Sequence, residues 1–277
     1  MNAVERPLTR WTRIAAIVFF GLLIGAPFYW LMIGALKTQP EALAFPPTFY
    51  PRQIRWENFT DAMTRILSAQ AFINSIIFTV AVTGLQLVLT ITTGFALAKM
   101  PFPGRQALFR IFLLTMLVPF HVVLIPTFLV TRGFNMIDTY PGLILPIVAQ
   151  TAFGVFVFRQ FFITLPDELL EAARIDGANW GQIFMMVALP LAGPSIAAYV
   201  AITMLNAWNM YIWPLVATSS NAMRVLPLSL ASLGQELDTT PPNVGMAAVL
   251  ITTLPVLVVF IFTQRWFING LGGAVKE

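Results

Sequence analysis

Thr164-Leu165-Pro166-Asp167-Glu168-Leu169-Leu170-Glu171-Ala172-Ala173-Arg174-Ile175-Asp176-Gly177-Ala178 reads as a short charged helix standing between two long apolar stretches. Thr164 with Asp167 three residues on offers a capping box, and Pro166 is tolerated in a first helical turn. Asp167, Glu168 and Glu171 lie toward the N-terminus, where the helix dipole favours negative charge. Gly177 is placed to end the helix in a left-handed cap. A second short helix over residues 180–187 follows before Leu189-Pro190 opens the next apolar stretch. The result is a helix–turn–helix at a surface. Small Ala172 and Ala173, flanked by charge, would let another protein approach the backbone closely while the charges fix its register. From these residues alone, a solvated connector whose acids only cap a helix fits equally well.

The flanking sequence places this helix in a membrane protein. Of 277 residues, 58% are hydrophobic and 10% charged, against roughly 25% charged in an average soluble domain. Six stretches, residues 14–36, 73–98, 108–130, 142–162, 191–213 and 246–267, are apolar enough to cross a bilayer, which takes ~20 residues of helix. None has an acid or base in its interior; Arg110 and Arg159 sit near ends, where they can snorkel. Arg6, Arg10 and Arg13 give the first stretch the look of a signal peptide, but its apolar run is too long and it lacks a small-x-small cleavage site. It is expected to stay. The expected fold is all-α and polytopic, with six transmembrane helices.

Positive charge orients the chain. Arg6, Arg10 and Arg13 precede the first span, Lys99, Arg105 and Arg110 lie around the junction of the second with the third, and Arg265 stands at the end of the last with Lys276 beyond it. The short opposite loops hold only Arg132 and Arg224; the long loop 37–71 carries several Arg but counts for less. Both termini are therefore expected to be cytoplasmic. The layout is a cytoplasmic N-terminus (1–13), a transmembrane domain (14–267), outer loops at 37–71 and 217–243, the quoted segment within a cytoplasmic loop at 164–190, and a cytoplasmic tail (268–277). In the first outer loop, Trp56, Phe59, Met63 and Ile66 follow a helical period. Either an interfacial helix lying on the membrane or a short packed helix would carry that pattern.

Several functions are disfavoured. The net charge of +4 comes from basic residues scattered singly, so no nucleic-acid surface forms. There is no cysteine, and Lys37, Lys99 and Lys276 follow Leu36, Ala98 and Val275 rather than glycine, so no phosphate-binding loop exists. Neither a metal cluster nor a nucleophile constellation appears. An ion-coupled carrier, the rival from another class, commonly carries intramembrane acids or lysines, and a membrane enzyme would need paired carboxylates or clustered histidines.

Within the spans, Asn206, Trp208, Asn209, Tyr211 and Trp213 combine amides with aromatic faces, which suits a hydroxyl-rich solute. An interfacial aromatic belt with an interhelical amide bond explains the same residues. His121, the only histidine, has no nearby acid in sequence, which favours packing or cavity lining over metal or proton relay. Pro119 and Pro126 should kink their span.

The quoted segment resembles the EAA loop of ABC importer permeases. Glu171-Ala172-Ala173, Gly177, Val187 and Leu189-Pro190 stand at that family's spacing, with Val187 where Ile is usual. Phe158-Arg159-Gln160-Phe161-Phe162, Trp208-Asn209, Trp213-Pro214, Gln264-Arg265 and the tail Gly270-Leu271-Gly272-Gly273-Ala274-Val275-Lys276 resemble the carbohydrate-uptake class, most nearly the smaller permease of maltose-type systems, with glycerol-phosphate permeases close behind. The resemblance implies a type I importer permease fold and a non-catalytic subunit working by alternating access. It implies that Glu171, Ala172, Ala173, Asp176 and Gly177 couple to an ATPase, with Glu171 facing a basic residue and both alanines packed closely. Arg224, Glu236 and Asp238 would reach toward a solute-binding protein, and residues 270–277 would lie against the ATPase. The implied partners are a second permease, a dimer of ATPase subunits that bind ATP and Mg, an extracytoplasmic binding protein and membrane lipid; no cofactor belongs to this chain. The implied solute is a sugar or sugar-like molecule, the alternative a glycerol-phosphate or glycerophosphodiester. Many relatives carry an acid after Trp-Asn, where this chain has Met210, so that acid's role does not carry over.

Overall fold

A computed structural model describes residues 7–234 and 240–272. The ordered elements are α1 (Pro7–Leu36), α2 (Gln39–Ala42), α3 (Glu57–Arg65), α4 (Ala69–Lys99), α5 (Arg105–Met116), α6 (Phe120–Gly133), α7 (Tyr140–Val148) and α8 (Ala152–Ile163). They continue as α9 (Asp167–Ile175), α10 (Trp180–Ile183), α11 (Leu189–Leu191), α12 (Gly193–Trp208), α13 (Ile212–Ala217), α14 (Leu226–Ala231) and α15 (Pro242–Gly272). No strand occurs among the described residues. The chain divides into two compact units, one of residues 1–68 and 229–254, the other of 69–228 and 255–277.

In the first unit a buried amide pair closes the end of α1. A helix leaves its last carbonyls without partners, and inside protein they need donors. Asn58 Nδ2 donates to the carbonyls of Ala35 and Lys37, each at 2.8 Å. Asn243 Nδ2 donates to Lys37 O at 3.2 Å and to Asn58 Oδ1 at 2.9 Å. α3 buries Asn58 and Ala62 within this unit, leaving Trp56 exposed and Phe59, Met63 and Ile66 half-buried. A Cβ on Gly34 would strike the Met246 thioether, so only glycine lets α1 and α15 approach so closely there.

In the second unit α4 packs against α7, α8 and α12. Lipid provides no hydrophobic drive between helices, so close backbone approach and hydrogen bonds must hold them. A Cβ on Gly94 would come within 2.7 Å of Phe158 Cβ, and one on Gly154 within 2.6 Å of Thr90 and Tyr199. One core cluster gathers Phe78, Val82, Leu143, Ile147 and Trp213, whose Nε1 donates to Leu143 O at 2.9 Å. A second gathers Ile91, Phe95, Phe158, Phe162, Leu170, Ile183 and Tyr199.

Among the described residues, α1 and α4 are each long and apolar enough to cross a membrane unbroken. Three other candidate crossings are bent pairs: α5 with α6 at 100°, α7 with α8 at 45°, and residues 180–191 with α12 at 77°. The bend expected at Pro119 is there, since Pro119 is the N-cap of α6; Pro126 lies inside α6 without breaking it. At the α7–α8 bend, Gln86 Nε2 supplies the freed carbonyls of Ile147 (2.6 Å) and Gln150 (3.2 Å). Before the third bend, Phe184–Ala188 widens into a π-turn; Pro190 lacks an N–H and crowds the carbonyl four residues back. The stretch 191–213 is therefore not one helix: α12 stops at Trp208 and α13 starts afresh at Ile212.

Candidate functional site

α9 is exposed on one side and anchored on the other. Leu170 is buried in the cluster of Ile91, Phe95, Phe158 and Phe162, with Ala173 packed beside it. Glu168, Glu171, Ala172, Arg174 and Asp176 are exposed. Two large apolar residues share that exposure: Leu169 is 47% accessible and Ile175 87%. Ala172 and Ala173 thus part company, the first outward and the second turned into the chain's own core. One helical position turns a side chain by about 100°, which leaves Ala172 exposed and Ala173 half-buried.

The ends of α9 are built differently from each other. Gly177 takes φ +83°, with Ala178 N donating to Ala173 O (2.9 Å) and Gly177 N to Arg174 O (3.0 Å). This is the expected left-handed cap. At the other end no capping box forms. The N-cap is Pro166, so Asp167 is the first helical residue rather than the third. Thr164 Oγ1 donates backward to Phe161 O at 2.7 Å, and Asp167 Oδ1 accepts from Lys99 Nζ at 2.6 Å. A true capping box stands at the start of the next helix, α10, where Gln182 N donates to Asn179 Oδ1 and Asn179 N to Gln182 Oε1. Arg174 lies 5.3 Å over the Trp180 ring and holds the two short helices together.

The candidate solute residues separate into exposed and buried sets. Asn206, Asn209 and Tyr211 are exposed around the α12–α13 break, with Asn209 Nδ2 donating to Leu205 O at 2.9 Å. His121, exposed, begins α6 just past the Pro119 break. Phe120 and Met210, their chain neighbours, pack on the same cluster around Leu143 and Trp213, so both breaks lie in one region. Backbone freed at such breaks persists in a membrane where protein or a water-filled path covers it. Trp208 does not belong to the exposed set. It is buried, edge-on to Phe72 at 6.1 Å. Trp213, wholly buried, belongs to no aromatic belt.

At the opposite end of α4 the first part of the 217–243 connection is tied down. Asn74 Nδ2 donates to the carbonyls of Ala222 and Arg224, each at 2.8 Å, while Asn74 Oδ1 accepts from Tyr140 Oη at 2.6 Å. Ser75 Oγ accepts from Leu226 N at 2.7 Å. Asp138 Oδ1 accepts from Ser219 N (2.9 Å) and Ser220 N (3.0 Å), which together hold its carboxyl below the usual carboxylate range. The Arg224 side chain stays exposed. Glu236, Asp238 and residues 273–277 lie outside the described residues.

Sequence reasoning passed over Ile175 and Leu169, although Leu169, Ala172, Ile175 and Asp176 recur at helical spacing on the face away from Leu170. It used Lys99 only as an orienting charge. It did not single out Asn74, Ser75 or Asp138, whose meaning comes from distant partners.

Residues 87–272 match the family described as the binding-protein-dependent transport system inner membrane component. The chain is 35% identical to the sn-glycerol-3-phosphate transport system permease protein UgpE of Yersinia pestis, over 92% of this chain and 93% of that one. It is also 35% identical to the arabinooligosaccharides transport system permease protein AraQ of Halalkalibacterium halodurans, over the full length of both. Its fold is similar to a chain in the crystal structure of a bacterial ABC transporter that imports the acidic polysaccharide alginate, with a TM-score of 0.82, 22% identity, and coverage of 96% of this chain and 99% of that one.

Proposed function

The chain belongs to the family of binding-protein-dependent transport system inner membrane components, and from that premise we propose how its parts serve import. It is a multi-pass inner-membrane protein and the non-catalytic permease subunit of an ATP-binding-cassette importer. Its solute is a sugar or sugar-like molecule, a reading supported by relatives whose names include glycerol-3-phosphate and arabinooligosaccharides. Six crossings are formed by α1, α4, the α5–α6 pair, the α7–α8 pair, the bent pair ending in α12, and α15. Both termini and α9 face the cytoplasm.

One observation carries the coupling role: α9 leaves Ile175 and Leu169 bare beside Glu171 and Asp176 while Leu170 roots it in the α4–α8 core. Large apolar side chains clustered with charge on a free surface mark a place that another protein covers. In an importer that partner is the ATPase. Closure of the ATPase dimer on ATP pushes α9, and Leu170 passes the push to α4 and α8. The spans then rock against those of a second permease. The exposed amides Asn206 and Asn209, with Tyr211 and His121, line the path at two helix breaks, where polar groups serve a hydroxyl-rich solute. Arg224, Glu236 and Asp238 meet the binding protein on the other side.

The Glu171→Lys variant tests the reading. It should insert normally, lose its ATPase on purification, and show no ATP-driven uptake of sn-glycerol-3-phosphate or arabinooligosaccharides into vesicles holding the assembled importer. ATPase retention with normal uptake would remove α9 from the mechanism. Accumulation by this chain alone under an ion gradient, without ATP, would favour a carrier instead.

A further inference from the structure

The joint between α4 and α9 contains a lysine whose placement exceeds what orientation in the membrane requires. Lys99, the last residue of α4, has a side chain only 7% exposed. Its ammonium reaches the Leu165 carbonyl at 2.7 Å and Asp167 Oδ1 at 2.6 Å. Both acceptors sit at the start of α9. Leu165 lies in the junction after α8, and Pro166, with no N–H, separates the two helices there. A buried ammonium needs such partners, and a charge-assisted bond of this length resists being pulled apart. The Asp167 side chain is 76% exposed, so its position follows from this bond rather than from packing.

We propose that Lys99 is a positioning residue for energy coupling, locking the first turn of α9 to the end of α4 so that a push on α9 turns α4 with it. The proposal rests on α9 being the ATPase-contacting helix. Leu170, Ala173 and the Arg174–Trp180 contact hold the middle and the far end of α9; Lys99 adds a polar hold on its first turn, about one helical turn before Leu170. A helix held at both ends moves with α4 as a lever. The contact is polar and directional, so its loss loosens the joint without emptying the apolar core beneath it.

The experiment uses the importer assembled with its own partner subunits in lipid vesicles. The chain has no cysteine, so Asn209→Cys creates a single labelling position on it. Maleimide labelling there is compared before and after trapping with ATP and vanadate. Lys99→Met should keep the ATPase attached and hydrolysing while reducing the nucleotide-driven change in labelling roughly 2- to 30-fold, the range for substitutions along a coupling route. Lys99→Arg should restore most of it, and Asp167→Ala, which spares the Leu165 carbonyl, should cost less. A wild-type change in both Lys99→Met and Asp167→Ala overturns the proposal. Should Lys99→Met fail to assemble, Asp167→Ala decides by itself. Glu171→Lys run alongside separates the two layers. Retained ATPase there overturns the coupling-helix reading; lost ATPase there with undisturbed switching in the other variants overturns only the role of Lys99.

Discussion

Asp138 joins two parts of the chain that sequence holds far apart. One carboxylate oxygen accepts the N–H groups of Ser219 and Ser220, 81 and 82 residues on. Those bonds need the ionised form and hold the carboxyl below its ordinary value of 3.8. The folded state therefore binds a proton less readily than the unfolded chain. Stability from this contact is present above the unfolded value and is lost as pH falls through the lowered folded one. Amide exchange at Ser219 and Ser220 should thus stay slow at neutral pH and quicken only in strong acid, whereas Asp138→Ala should quicken it at all pH values. Unchanged exchange in that variant would show the bend to be held by other contacts. Single residues were legible when their meaning was local. Gly177 could be read as a left-handed cap because its role depends on the helix just before it. Asn74, Ser75 and Asp138 could not, because a sequence displays donors and acceptors but not the partner across 80 or 150 residues that each one meets.

Helices were legible in extent and less so in continuity. Pro119 pointed to a bend and stands at one; Pro126, seven residues later, lies inside α6 without ending it. The capping box expected at Thr164 is displaced because Pro166 delays the helix start and Lys99 claims the acid. Local pattern proposed a bond, and a long-range charge won it. Gly177 gives an element-scale test that separates shape from space. A Cβ there would meet nothing within 4 Å, so only its φ of +83° resists substitution. Gly177→Val should cost about 1–2 kcal/mol of local stability, the penalty for a left-handed L-residue, and fray the last turn, where Ile175 and Asp176 lie. Gly177→Asn, which tolerates that conformation, should stay near wild type. ATPase retention on purification should drop for Val and hold for Asn. Equal loss in both would mean that the backbone conformation is not what matters at this turn.

At the scale of the molecule, orientation follows from α4. Its 31 residues span roughly 46 Å at 1.5 Å each, well beyond the ~30 Å hydrocarbon layer. Its two ends must therefore emerge on opposite sides. One end carries Asn74 and Ser75, bound to the 222–226 backbone; the other carries Lys99, bound to α9. If the six crossings hold, ten of the sixteen lysines and arginines fall on the side of Lys99, among them Arg105, Arg110, Arg159 and Arg174. Several of the six opposite cations are engaged at once: Lys37 is buried, and Arg55 and Arg65 lie 3.8 and 3.9 Å from Asp61. On the proposed topology, retention of basic loops during insertion would put the Lys99 side in the cytoplasm. A reporter enzyme active only outside the cytoplasm should then work when inserted near residue 45 or residue 221, and stay silent near residue 102 or residue 178. The reverse pattern would put α9 beyond the reach of any cytoplasmic ATPase, and both the lever and its lysine lock would fail with it. A mixed pattern, with residues 102 and 178 on different sides, would instead make either the α5–α6 or the α7–α8 pair a re-entrant loop and lower the number of crossings.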